Sequence, residues 1–212
     1  MAQNPSRRAF LLRTGLAALA GGVAVPWLSW AAAKVGEAAP AFTAVASTGK
    51  SVSLASYRSK IVVLEWTNHE CPYVRKHYET GNMQALQKEA TGQGVVWLSV
   101  ISSAPGEQGY VSPAQANELT QSRGAAPTAV LLDPKGTVGR MYGSTNTPHM
   151  YVIDEAGILR YAGAIDDRPT TRTSDVQGAH NYVRAALHAV AAGQPVPAPV
   201  THAYGCTVKY AA

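Results

Sequence analysis

The stretch Ile61-Val62-Val63-Leu64-Glu65-Trp66 constrains this chain more than any other. It is short, nearly continuous in apolar residues and rich in β-branched ones, so it reads as a strand covered on both faces. Such a strand belongs near the centre of a parallel or mixed sheet with helices packed against it. Soon after it, Pro72 takes a first-turn position where its missing N–H is harmless, and Val74, Tyr78, Leu86 and Ala90 fall on one face of a helix. One helix is predicted from Pro72 to about residue 90, with Arg75 and Glu79 spaced to pair on its surface.

The remaining elements follow from the same patterns. Ahead of the buried strand, alternating runs around Val45 and from Val52 to Leu54 flank the turn Thr48-Gly49-Lys50. Beyond the helix, Gly92 and Gly94 precede a second buried strand, Val95 to Ile101, and Ser102 to Pro113 is a loop rich in Gly, Pro and Ser. A helix is expected from Pro113 to Arg123 after Ser112, a strand from Ala129 to Leu132, and a turn or short helix from Gly139 to Tyr142. Met150 to Asp154 and Ile158 to Tyr161 form a hairpin about Glu155-Ala156-Gly157, and Ala179 to Ala192 is a last helix closed by Gly193. The order β-β-β-α-β-α-β-β-β-α predicts an α/β sandwich with a mixed central sheet flanked by helices.

The formal charge of +5 overstates how basic the working part of the chain is. Arg7, Arg8 and Arg13 precede any acidic residue, and without residues 1–33 the balance is 15 Lys and Arg against 13 Asp and Glu, or +2. The remaining charges are scattered rather than gathered with aromatics into a stripe, so nucleic acid is excluded as a partner. Thr14 to Ala33 carries no charge, follows the arginines and ends in Ala31-Ala32-Ala33. Residues 1–33 therefore read as a signal peptide cleaved near Ala33. Within it, Ser6-Arg7-Arg8-Ala9-Phe10-Leu11 resembles a twin-arginine export signal, with Leu12 in place of the usual lysine. The uncharged stretch is also just long enough to be an uncleaved membrane anchor. Either way residues 34–194, the expected domain, and the proline-rich tail 195–212 work in the periplasm, where disulfides persist.

Glu65-Trp66-Thr67-Asn68-His69-Glu70-Cys71-Pro72-Tyr73-Val74, a strand, a cysteine and a helix in succession, resembles the active-site segment of the thioredoxin-like superfamily. Within it the chain is most similar to the redoxin or peroxiredoxin-like (AhpC/TSA-related) family. Thr147-Pro148 before a strand resembles the cis-proline that faces the active cysteine, and Tyr151 to Gly157 resembles the hairpin after it. Gly205-Cys206-Thr207-Val208-Lys209 resembles the C-terminal Gly-Cys signature of a peroxiredoxin-like subgroup. The resemblance runs from about residue 35 to residue 210. It implies a thioredoxin-like three-layer sandwich and a thiol oxidoreductase that needs no cofactor and no metal. Its substrate would be a peroxide or a protein disulfide, and a soluble or membrane-linked thiol protein would re-reduce it. Two positions depart from the family pattern. Val74 stands where thioredoxin-type enzymes carry a second cysteine, and Asn68 stands where typical peroxiredoxins carry a threonine that orients peroxide.

A thiol is a nucleophile only as thiolate, and Cys71 at a helix N-terminus lies near unpaired N–H groups and the positive end of the dipole. His69, Arg75 and His77 are close enough in sequence to add positive potential there, unless His69 and His77 are ordinary solvated residues of the loop and helix surface. Trp66, Asn68, His69, Pro72 and Thr147 are expected to support the site. Glu65 is either a buried acid of raised pKa that takes up a proton when a mixed disulfide resolves, or a side chain at a strand end facing water. Pro148, if cis, leaves a backbone edge beside Cys71 on which an extended segment can pair; otherwise it is a turn proline. With two cysteines in the chain, Cys71 and Cys206 can form one intrachain disulfide. Cys206 is then a resolving thiol on the tail, a static staple, or one half of a bridge between subunits. Two other functions remain open. One is a copper or haem-related binding module using Cys71 with His69, His77, His149 or Met150. The other is an exported domain that kept the fold and lost activity.

Overall fold

The computed structural model describes Met1 and residues 32–211, so the expected signal segment lies almost wholly outside the described residues. The chain enters through a hairpin of β1 (Thr43–Ala46) and β2 (Ser51–Ser53), then crosses the core as β3 (Val62–Trp66), buried along its whole length. Helices α1 (Pro72–Glu79) and α2 (Asn82–Gly92) lead to β4 (Val96–Ile101), and α3 (Pro113–Ser122) leads to β5 (Ala129–Leu132). After α4 (Thr137–Tyr142) come the two-residue β6 (Asn146–Thr147), the hairpin of β7 (His149–Ile153) and β8 (Leu159–Gly163), α5 (Tyr182–Ala191) and the two-residue β9 (Cys206–Thr207).

Seven strands form one sheet in the order β2-β1-β5-β4-β3-β7-β8. β3, β4 and β5 are mutually parallel, and the other neighbours pair antiparallel. Both parallel crossovers step the same way along the sheet, and their common right hand puts α1, α2 and α3 on one face. Strand alternation then divides the core. Val63 packs with Val74, Met83, Leu86 and Val183 under α1, α2 and α5. Val62, Leu64 and Trp66 face Phe42, Met141, Tyr142 and Tyr151 on the side of α4. Trimming Leu64, which is fully buried, to Ala would cost about 2–5 kcal/mol of transfer and cavity energy.

The predicted single helix from Pro72 to about residue 90 is two helices. The chain breaks at Gly81, whose φ of 73° is left-handed backbone open to glycine at little cost. Gln84 reseals the break by donating Nε2 to the Tyr78 carbonyl at 2.8 Å. The other expected elements stand within a few residues of expectation, β6 and β9 are additions to them, and Ser112 caps α3 in a reciprocal box with Gln115. Among the described residues, no helix is long and apolar enough to cross a membrane.

Candidate active site

Cys71 is the N-cap residue of α1, with extended backbone and Pro72 directly after it. Its carbonyl accepts from Val74 N at 3.0 Å and Arg75 N at 2.9 Å, which fixes it as the helix start. Its side chain makes no capping bond, and instead Sγ donates to the Thr147 carbonyl at 3.1 Å. The following peptide, Thr147–Pro148, is cis.

Thr147 meets the second cysteine as well. β6 and β9 pair antiparallel with Thr147 opposite Cys206, so both cysteines converge on one residue. Gly205 makes this approach possible: at φ 131° a Cβ on it would sit 2.0 Å from the Thr147 carbonyl oxygen. Both thiols are free, Cys71 with no exposed surface and Cys206 half-buried. Burial first, then hydrogen bonding and charge from Cys71, push the Cys206 thiol up to about 11.

The tail that carries Cys206 is fastened along its length. Thr201 Oγ1 accepts from Ala164 N at 2.9 Å, Val208 N donates to Thr145 O at 2.9 Å, and Lys209 O accepts from Ala104 N at 2.8 Å. Tyr210 donates its hydroxyl to Ser144 O at 2.7 Å under the Arg140 guanidinium, and Tyr204 is buried against Tyr73. The tail lies across the mouth of α1, and Cys71 is sealed beneath it.

Glu65 is buried rather than facing water at a strand end. Its carboxylate accepts from Tyr78 Oη at 2.8 Å, Gln87 Nε2 at 3.0 Å, Trp97 Nε1 at 2.8 Å and Ser99 Oγ at 2.9 Å. Burial raises its pKa above the ordinary 4.5, opposed by these four bonds. The partners come from α1, α2 and β4, so the acid ties both helices to the sheet; none is a cysteine.

Of the other expected residues, Thr147 reaches Cys71 through its carbonyl, Pro148 follows it across the cis peptide, and Pro72 holds the first turn. Trp66 points to the opposite face of the sheet, donating Nε1 to Ser102 Oγ at 3.0 Å. Asn68 shapes the loop instead, accepting from Glu70 N at 2.9 Å and lying against Gly109. His69 gives its carbonyl to Arg123 at 3.1 Å, and its ring pKa is lowered, chiefly by burial.

His77 needs correction as a source of positive potential. It has no exposed surface, and burial, then the Lys76 charge, take its pKa down to about 3, so it is neutral at ordinary pH. Arg75 is exposed and paired with Glu79. The burial of Lys76, His77 and Asp166 under Tyr204 escaped the sequence. The signal on α1 was two polar residues beside its apolar stripe, and the Tyr204 that covers Lys76 and His77 lies more than 100 positions away from them. Among the described residues, no group of three or more His, Cys, Asp or Glu side chains is placed to hold a metal ion.

Comparison with known families matches the AhpC/TSA family model over residues 35–162. An uncharacterized conserved protein from Geobacillus kaustophilus is similar in structure, with a TM-score of 0.72 at 24% identity, over 84% of this chain and 93% of that one. A hypothetical protein from Sinorhizobium meliloti 1021 gives 0.72 at 23% identity, over 86% and 97%. A candidate thiol:disulfide interchange protein DsbE from Chlorobium tepidum gives 0.50 at 23% identity, over 62% and 85%. No curated protein matches the chain in sequence. At these identities the likeness is one of fold, and the fold is the thioredoxin-like sandwich.

Proposed function

The chain belongs to the AhpC/TSA family, and from that premise we propose that it is an exported thiol–disulfide oxidoreductase with Cys71 as nucleophile and Cys206 as resolving thiol. The observation that carries this reading is the meeting of both cysteines at Thr147: Cys71 Sγ donates to its carbonyl, and Cys206 stands opposite it across β6 and β9. The Cys71 thiolate attacks one sulfur of a partner's disulfide, forming a mixed disulfide and releasing the partner's other sulfur as a thiolate. The Cys206 thiolate then attacks Cys71 Sγ, which releases the partner's second thiol and leaves a Cys71–Cys206 bond. The chain has lost two electrons and the partner has gained them. A thiol reductant protein, soluble or membrane-linked, returns the two electrons and two protons.

Peroxide is the competing oxidant. It would convert Cys71 to a sulfenic acid, and Cys206 would release water from it in forming the same bond. Asn68 favours disulfide exchange: the side chain at the family's peroxide-orienting position is engaged with Glu70 and Gln108. Glu65, with its carboxylate taken up by four donors, serves as an anchor for α1 rather than a proton acceptor. Thr147 and Pro148 hold the carbonyl that keeps the Cys71 thiol in line. Residues 1–33 direct export to the periplasm, and Arg7→Lys with Arg8→Lys would leave the chain in the cytoplasmic fraction.

The test is mass spectrometry of the reduced protein after glutathione disulfide or hydrogen peroxide, with and without Cys206→Ser. Disulfide exchange predicts a glutathione adduct on Cys71 in the variant and a Cys71–Cys206 bridge in the parent. A sulfenic acid on Cys71 formed faster than the adduct makes the chain a peroxidase. No bridge with either oxidant defeats the resolving role.

A further inference from the structure

Beneath the tail, between α1 and the segment that follows β8, lies a set of buried charges that the exchange chemistry does not use. Lys76 and Asp166 are 1% and 2% exposed, and Lys76 Nζ lies 3.8 Å from Asp166 Oδ1. The ammonium donates to the Arg168 carbonyl at 2.7 Å and to the Tyr204 hydroxyl at 3.3 Å, and it stands 5.2 Å from the centre of the Tyr204 ring. That hydroxyl donates to Asp166 Oδ1, and His77 Nε2 lies 3.4 Å from it. Asp166 Oδ2 has no hydrogen-bond partner and lies 3.9 Å from His77 Nε2. His77 itself is held from the other side by Asn82, 2.9 Å from Nδ1.

Two charges withdrawn from water cost more than apolar side chains of the same size unless close pairing and further hydrogen bonds repay the desolvation. Here the pair, with His77, converges on one tail atom, the hydroxyl of Tyr204. Two residues further on stands Cys206, and Gly205 between them is pressed against the Thr147 carbonyl. With Tyr204 fixed, Cys206 has little freedom except to lie over Cys71.

We propose that Lys76 and Asp166 form a latch that acts through Tyr204 to set Cys206 against Cys71 and to govern how often Cys71 is uncovered. The three are positioning residues, and the proposal rests on the reading of Cys206 as resolving thiol. When the tail lifts, Lys76 keeps Asp166 and the Arg168 carbonyl, so neither charge is abandoned. The latch can therefore open without unfolding the helix beneath it.

The test compares the full chain with Tyr204→Phe, which removes one oxygen and keeps the ring, and with Asp166→Asn. Tyr142→Phe serves as control, because its hydroxyl bonds Pro40 O at 2.8 Å on the opposite side of the sheet. Each is made with Cys206 intact and as Ser. Two quantities are read: the rate at which iodoacetamide labels Cys71 in the Ser background, and the equilibrium of the Cys71–Cys206 bond against dithiothreitol. The latch predicts labelling about tenfold faster and a bridge about tenfold easier to reduce in Tyr204→Phe and Asp166→Asn, as for one lost bond to a charged group. Tyr142→Phe changes neither, whatever it does to the melting temperature. Labelling rates equal to the parent's in both latch variants overturn the latch. Absence of the bridge in the parent overturns the reading of Cys206 instead, and the labelling rates still decide the latch.

Discussion

A carboxylate shut away from water is harder to ionise, and at Glu65 burial outweighs the four donors that favour its charged form. Its pKa is raised, so its contribution to stability is fully present below the ordinary 4.5 and is lost as pH rises through the folded-state value. Glu65→Gln has no charge to bury and escapes that loss. Urea titrations from about pH 4 to about pH 8 should show the parent's advantage over the variant shrinking as pH rises. A constant gap would mean that the acid is no harder to ionise in the fold than in the unfolded chain. The Cys206 thiol carries a second prediction. Its rise to about 11 owes part of its size to Cys71, so Cys71→Ser should lower it. Iodoacetamide should then label Cys206 several-fold faster near pH 8 in Cys71→Ser than in the reduced parent. Equal rates would separate the two thiols. At this scale the sequence showed which residues were unusual, but not always why. Glu65 was conspicuous as an acid in an apolar strand, and its neighbours Trp97 and Ser99 lie on the adjacent strand of the sheet. Lys76 went unread, because nothing local tells a helix face that a tail will cover it.

The elements divide by the range of the signal that makes them. β3 and β4 were legible because continuous burial writes itself into consecutive residues, and α3 because Ser112, Pro113 and Gln115 spell its start. β6 and β9 were not, since two residues have no period and exist only as each other's partner. The break between α1 and α2 lies between these cases. Its glycine was in view, but a lone glycine within a helical pattern is usually tolerated, and the left-handed turn is seen only in the folded chain. A Cβ at Gly81 would meet nothing within 4 Å, so Gly81→Ala carries only the backbone penalty. The expected loss is about 1 kcal/mol, measured by urea unfolding, with Cys71 labelling unchanged. A neutral effect would mean that the two helices readily re-form as one.

For the whole molecule, the two cysteines are distant in sequence and adjacent in space, and this makes redox state a matter of stability as well as chemistry. A bond from Cys71 to Cys206 would close a loop containing every element from α1 through α5, and would tie the tail to the start of the first core helix. Closing so long a loop restricts the unfolded chain far more than the folded one, where both cysteines already meet at Thr147. The oxidised protein should therefore resist urea by about 2–4 kcal/mol more than the reduced one. Cys206→Ser should unfold alike with and without dithiothreitol. If instead oxidation weakens the fold, the sulfurs cannot bond where they now lie without dragging β9 off β6, and the bridge must form with the tail already lifted. That outcome would make the oxidised state the open one, exposing the Thr147 edge to partners when the chain is ready to be reduced.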